Sequence, residues 1–551
     1  MRACRVFPAI AVCLWLTSGC RTQPTMTAAT LQTRAEQTRF EETSRYADVR
    51  RFIDALMRQT PRVRLEMFGK SEEGRDLPLL VVGDPPPSAP DYSVPPGEQR
   101  VPIVLVMANI HAGEVEGKEA ALHLARRLTL GDLQPLLRSA VWLFAPIYNA
   151  DGNERISLDN RVEQNGPIGG VGTRENAKGL DLNRDFMKLD SSEARALVAL
   201  FTRWNPDVVV DLHTTNGSYH GYHLTYAPAL NANTDSRIAA FTRDALLPAV
   251  RDAMSVRHGF RTFDYGNFAT ADAMDDELEG FAPGETRQKV WRTFDARPRF
   301  GTNYAGLRNR IAILSEAYSY LDFERRVKVT EAFTEEIMRF VASYAEVIRL
   351  RIGLTDGQSS VGMPAELSIA SKLEALPKPV DVLVGEIGSK VNPRSGKNMR
   401  TMVDTTAIPM SMLVYDRFAS KATRRVPAEY IVPVSANGLR EVVERKLREH
   451  GILTEKLGTA SRRSVEQFTL THMRHAERAF QGHHATSIEG RFKQREVDVP
   501  AGSLVVRTKQ PLGRLVFYLL EPESDDGLTT WNFLDSGLKV GAPHPVLKST
   551  P

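Results

Sequence analysis

Four short segments of the chain carry residue types that perform metal and acid–base chemistry. In the first, Asn109-Ile110-His111-Ala112-Gly113-Glu114, a histidine and a carboxylate stand three residues apart where an apolar run ends. At a strand-to-turn junction such a pair can face one way and offer a nitrogen and one or two oxygens to Zn²⁺. Alone it is a weak signal, because His-x-x-Glu is common by chance and a histidine capping a strand end explains it equally simply. The second segment, Asp211-Leu212-His213, closes the apolar run 207–210. A histidine there would supply a third protein ligand and leave a fourth position free, the arrangement of a catalytic zinc site. Asp211 or a backbone carbonyl would orient a ligand imidazole, although Asp211 suits a strand-end turn as well.

The third segment is Gly179-Leu180-Asp181-Leu182-Asn183-Arg184-Asp185-Phe186. Arginine beside asparagine suits bidentate recognition of a carboxylate, since the guanidinium presents paired donors in one plane; a surface arginine in a salt bridge is the plainer alternative. In the fourth, Leu314-Ser315-Glu316-Ala317-Tyr318, a carboxylate ends another apolar run and is placed to take a proton from water and pass it to a leaving amine. Other chemistries lack their residues. There is no Gly-x-Ser-x-Gly elbow and no His-Glu-x-x-His. The three cysteines, Cys4, Cys13 and Cys20, all lie at the N-terminus, so the remaining chain has no disulfide, cysteine zinc site or cysteine nucleophile.

These segments need elements to hold them. The 551 residues, 42% hydrophobic and 25% charged, are those of a globular chain of two or three domains. The net charge of +4 is dispersed, which argues against nucleic acid as a partner. Apolar, β-branched runs at 102–110, 140–147, 206–212 and 310–314 alternate with helical patterns at 116–128, 192–204 and 235–254. That pattern predicts an α/β domain with a mostly parallel sheet buried on both faces, and histidine segments at the carboxyl ends of its strands. A helical pattern over 325–352 is followed by a glycine-containing stretch at 357–364, which places a domain boundary near 353 and a smaller α+β domain over 354–551. His220 and His223 read as polar packing, and His472, His475, His483 and His484 as surface residues.

The order His-x-x-Glu, Asn-Arg, strand-end His, strand-end Glu resembles the M14 zinc carboxypeptidases, the funnelins, over about residues 46–350. The segment 69–75, Gly-Lys-Ser-Glu-Glu-Gly-Arg, is similar to that family's early turn, and Asn149-Ala150-Asp151-Gly152 to its Asn-Pro-Asp-Gly loop. The resemblance implies a mixed, mostly parallel sheet flanked by helices. It implies one zinc per chain on His111, Glu114 and His213, Glu316 as general base, and Asn183 and Arg184 on the terminal carboxylate of a peptide substrate. Tyr304 is similar to the family's mobile tyrosine, at a shorter spacing from the glutamate. The chain departs from the pattern at Gly113, where digestive members carry arginine, and Arg155, Arg161 and Arg174 are all candidates to stabilise an oxyanion. Related readings are a zinc amidohydrolase of small acylated amino acids, like the aspartoacylase group, and an inactive peptide-binding relative; retention of the three ligands and Glu316 argues against the latter.

At the N-terminus, Arg2 and Arg5 precede an apolar stretch 6–16 and small residues before Cys20, the pattern of a signal peptide. Leu16-Thr17-Ser18-Gly19-Cys20 resembles a lipobox, and ordinary signal-peptidase cleavage is the alternative. The expectation is an exported protein, periplasmic, lipid-anchored or secreted, with a polar tether over 21–45 and a catalytic domain over 46–353.

Overall fold

Unbroken aliphatic runs form strands where both faces of a sheet are covered, and here they make the centre of an eight-stranded sheet. The computed structural model describes residues 31–88, 100–215, 217–270, 289–434, 436 and 438–550, so the expected signal peptide with Cys4, Cys13 and Cys20 lies outside the described residues. The strands of the main sheet are β1 (Val63–Lys70), β2 (Asp76–Val82), β3 (Ile103–Ala108), β4 (Val141–Ala145), β5 (Val208–Thr215), β6 (Leu224–Pro228) and β7 (Thr262–Asp264). Strands β8 (Asn267–Thr270) and β9 (Lys289–Arg292) leave it, and β10 (Ile311–Tyr318) returns. The order is β1-β2-β4-β3-β5-β10-β6-β7. β4, β3, β5 and β10 are mutually parallel, while β1, β2 and β6 join antiparallel. Every residue of β3, β5 and β10 is buried.

From β3 the chain moves one way to β4 and then back past β3 to β5. Right-handed crossovers in opposite directions place the helices Glu116–Leu130 and Ser192–Trp204 on opposite faces, and they open a crevice at the carboxyl ends of β3 and β5. The helix Glu116–Leu130 packs beside Phe323–Ser343, and Ser192–Trp204 packs on β1.

The region after residue 361 is α+β with strands dominant. β11 (Glu366–Ala375), β12 (Val380–Val391) and β13 (Asn398–Arg425) form a second sheet together with β8 and β9 of the first region. A third sheet contains β14 (Glu429–Val432), β15 (Glu455–Lys456), β16 (Ser461–His475), β17 (Thr486–Val499), β18 (Leu504–Arg507) and β19 (Leu547–Ser549). One hydrophobic core cluster runs continuously from Leu31 to Val546 across both regions.

Two sequence expectations are revised. The tether over 21–45 is folded from Leu31 onward: Leu31 is buried, Thr33 caps the helix Arg34–Gln37, and Arg126 pairs with Glu36 at 2.8 Å. The reason is polar. Buried Glu119 accepts hydrogen bonds from the Thr43 hydroxyl at 2.9 Å, the Ser44 amide at 2.7 Å and the Ser44 hydroxyl at 2.9 Å, contacts with no hydrophobic periodicity. Likewise the helical pattern over 325–352 is two helices, Phe323–Ser343 and Ala345–Val361, and the second crosses the expected boundary. Gly353 and Gly357 are exposed on it, where glycine costs only about 1 kcal/mol. Ile352, Thr355 and Ser359 are buried on its other face, and Asp356 is fastened to Arg310 at 2.8 Å.

Replacing Glu119 with alanine leaves three donors of the 43–44 segment without their acceptor, so it should cost about 2–5 kcal/mol. Urea unfolding of the variant would measure it; a loss below about 0.5 kcal/mol, the range of ordinary surface changes, would show that this segment does not depend on Glu119.

Candidate metal centre

Three strand ends meet at one point in the crevice. After β3 the backbone turns through Asn109 in the left-handed region, φ 64°, a conformation asparagine tolerates, and this reversal brings His111 and Glu114 back over the sheet. The Ala112 amide donates to the Thr173 carbonyl, and the Glu114 amide to the His111 carbonyl, which fixes the turn. His213 lies within β5 and Glu316 within β10, paired in parallel register, so the two side chains stand side by side on one face.

Glu114 is the centre of the cluster. His111 Nδ1 is 3.0 Å from Oε1 and His213 Nδ1 is 3.0 Å from Oε2, and all three residues are buried. One ligand atom from each of the three lies within 4.8 Å of the others. The outer nitrogens have carboxylates of their own: His111 Nε2 is 3.1 Å from Asp181 Oδ1 and His213 Nε2 is 3.0 Å from Asp211 Oδ2, the latter contact close but not aligned as a hydrogen bond. Carboxylates on Nε2 favour the proton there and leave Nδ1 directed inward as a lone pair. Arg174 Nη1, which can only donate, reaches His111 Nδ1 at 3.3 Å, consistent with that tautomer. Two imidazole nitrogens and a carboxylate in a buried pocket, each imidazole backed by a second carboxylate, fit a zinc ion.

Electrostatics follow from this crowding. Burial alone would raise the Glu114 carboxyl, but His111, Arg161 and His213 hold it well below the usual carboxylate range. Burial would likewise depress His213, and Asp211 and Glu114 outweigh it, so its pKa stands well above the ordinary value. Glu316 has no such surplus of cations. Burial first, then Glu114 and Asp211, push it up to about 8 against the pull of His213 and Arg161. A dication between the ligands would lower it again.

A family model described as zinc carboxypeptidase matches residues 49–287. That match spans the segments bearing His111, Glu114, Asn183, Arg184 and His213, so this part of the chain is similar to the zinc carboxypeptidases. Among curated relatives it is 23% identical over 503 residues to carboxypeptidase 2 of Trichophyton equinum, covering 87% of this chain and 81% of that protein. It is 34% identical over 140 residues to carboxypeptidase Z of Homo sapiens, 24% of this chain and 19% of that one. A solved metallo-carboxypeptidase from Burkholderia cenocepacia aligns over 54% of this chain and 70% of its own, with a TM-score of 0.39 and 18% identity. The match over these residues, together with the converging His111, Glu114 and His213, makes the protein a metallocarboxypeptidase with zinc as its cofactor.

The residues singled out from sequence divide. His111, Glu114, His213 and Glu316 come together, and Asn183 and Arg184 lie in a short 3₁₀ turn, Leu182–Arg184, beside them. Asn183 Oδ1 accepts from the Gly301 amide at 2.9 Å, so the NH₂ is the donor side of this amide. Arg184 lies over the Phe300 ring at 3.9 Å and 4.0 Å from Asp181 Oδ2. Tyr304 does not belong to the site. The helix Gly301–Leu307 is buried along its whole length, and Tyr304 is fully buried between Phe186 and Phe201 with its hydroxyl 2.8 Å from His450 Nδ1. A different phenol, Tyr265 between β7 and β8, is within reach of the cluster's charges. Its pKa is raised by burial and by the charges of Glu316 and Glu114, and no spacing rule pointed to it.

Of the three arginine candidates, Arg155 lies at the surface on Glu73. Arg161 and Arg174 reach Glu114 at 3.1 and 3.8 Å. The Arg161 stem accounts for Gly113: a Cβ there would stand 2.7 Å from Arg161 Cδ and 3.1 Å from the Gly172 carbonyl. Positive charge thus enters from the 161 loop rather than from position 113. His220 and His223 are buried, as packing residues should be, whereas His483 is not a free surface residue but pairs with Asp190 at 2.8 Å.

Asp181→Asn should weaken zinc binding about 10- to 100-fold in chelator competition, because the imidazole of His111 loses its anionic support; unaltered affinity would deny Asp181 that role. Zinc must also displace the proton that the raised pKa keeps on His213. Affinity should therefore weaken as pH falls and level off only above that pKa, with protons released on binding. Calorimetry in buffers of different ionisation enthalpy would detect the release, and a heat independent of buffer would contradict it.

Proposed function

We propose that this metallocarboxypeptidase removes the C-terminal residue of peptides that bear a free carboxylate, with zinc held by His111, Glu114 and His213. The observation that carries the reading is the placement of two guanidiniums beside the ligand set. Arg174 and Arg184 flank Asp181, at 2.8 and 4.0 Å, and Asp181 also supports His111. Burial lowers the pKa of Arg184, and Arg174 and Arg299 press it further in the same direction, so the pocket favours an added anion. A substrate carboxylate supplies it through charge-assisted hydrogen bonds, with the Asn183 NH₂ as a further donor.

Zinc, when bound, supplies Lewis acidity toward the scissile carbonyl and toward water. Glu316 does the proton chemistry. It is buried and stands beside His213 in the parallel register of β5 and β10. As a carboxylate, Glu316 takes one proton from the attacking water, whose oxygen forms a bond to the carbonyl carbon. It then delivers that proton to the leaving nitrogen as the carbon–nitrogen bond breaks, and the proton left on the added oxygen passes to the released amine, giving a carboxylate and an ammonium. Arg161 and Arg174 face the same space and would neutralise charge developing on the carbonyl oxygen. Export across a bacterial membrane, with Cys20 as a lipid anchor, is part of this proposal and rests on the sequence of residues 1–20 alone.

Glu316→Gln keeps the shape and the metal but cannot accept the proton, so turnover should fall about 10²- to 10⁴-fold with zinc content unchanged. Near-normal turnover would move the base elsewhere. Acid substrates should exceed their C-terminal amides by about 10-fold or more in kcat/KM, and Arg184→Ala should narrow that ratio. Equal cleavage of acid and amide by the unmodified enzyme, or selective hydrolysis of small acylated amino acids, would favour an amidohydrolase instead.

A further inference from the structure

The segment 181–191, which carries Asp181, Asn183 and Arg184, is fastened along its length by the C-terminal region. Gln481 Oε1 accepts a hydrogen bond from the Asp181 amide at 2.8 Å. His483 Nε2 lies 2.8 Å from Asp190 Oδ2, and the Lys188 ammonium sits 5.0 Å from the centre of the Trp531 ring. Lys446 donates to the carbonyl of Lys188, and His450 Nε2 lies 3.3 Å from the Met187 carbonyl. The segment therefore has little freedom to move independently of that region.

Gln481 is the contact nearest the chemistry. It occupies a tight turn between β16 and β17, closed by reciprocal backbone hydrogen bonds between Phe480 and His483 at 2.8 and 3.1 Å. Both central residues are left-handed, Gln481 at φ 52° and Gly482 at φ 82°. Glycine suits that conformation and glutamine does not, so position 481 holds a costly backbone whose side chain meets Asp181. Asp181 in turn accepts from the Asn183 amide at 2.9 Å, holds Arg174 at 2.8 Å and stands 3.1 Å from His111 Nε2. A single hydrogen bond from the C-terminal region thus ends on the residue that orients a ligand imidazole and a guanidinium.

We propose that the 480–483 turn is a working part of the active site, with Gln481 a positioning residue that sets the 181–184 turn for recognition of the substrate's carboxylate. The proposal rests on the reading of Arg184 as the partner of that carboxylate. It makes the C-terminal region a determinant of substrate selection rather than an appendage.

The test uses the full, zinc-loaded chain. Gln481→Gly removes the acceptor and relieves the backbone, so folding is not put at risk. It should lower kcat/KM for a free-acid peptide about 3- to 10-fold, the factor commanded by one neutral hydrogen bond, chiefly through KM. The matching amide should change little, and zinc content and thermal midpoint should hold. Gln481→Glu keeps an acceptor at the same reach and should recover part of the acid preference. Amide hydrogen exchange over 181–191 should quicken in Gln481→Gly. An acid-to-amide ratio equal to that of the unmodified enzyme would overturn the proposal, as would equal losses on both substrates with a lowered thermal midpoint. If the unmodified enzyme shows no acid preference, the carboxylate reading fails by itself. Exchange then decides the positioning: quickened exchange sustains it and unchanged exchange ends it.

Discussion

The Glu114 carboxylate, buried with each oxygen 3.0 Å from a different imidazole, is the constraint on which the site depends. A charge removed from water must be met by opposite charge and hydrogen bonds, or the fold bears the whole desolvation cost. Asp181, Asp211 and Glu316 add further carboxyls to the same small volume, against His111, His213, Arg161 and Arg174. That balance suits a dication: it would take the inward nitrogens, leave the outer ones to their carboxylates, and bring Glu316 back toward an ionised form able to accept a proton.

Such an arrangement needs a rigid floor, and the parallel strands provide one. Because β5 and β10 are in register, His213 and Glu316 are neighbours by backbone hydrogen bonding, with no long side chain having to reach across. β3 delivers its ligands differently, through a reversed turn at Asn109, since Glu114 must approach from above the sheet rather than from within a strand. Burial of every residue in these strands resists displacement of any one ligand, because tightly packed interiors yield little to local shifts.

The C-terminal region is continuous with this scaffold. It contributes β13 to a sheet that also holds β8 and β9, and it secures the segment that bears Asn183 and Arg184. The parts of the candidate site thus differ in their support: His111, Glu114 and His213 rest on the main sheet, while the segment bearing Asn183 and Arg184 is braced from a distant part of the chain.

Residue type and order alone made the candidate metal site legible. A histidine and glutamate three apart, a strand-end histidine and a strand-end glutamate each follow an apolar run, and period and apolarity are local properties that a linear reading detects. The α/β class was legible for the same reason. Tertiary structure decided what depends on contacts between distant residues: Tyr304 is drawn into the core by the helix that carries it, Arg161 fills the space beside Gly113, and residues 31–45 fold onto Glu119. Gln481 meets Asp181 across 300 positions of sequence. A side chain's direction and partner follow from how sheets and loops pack together, and no spacing along the chain encodes that.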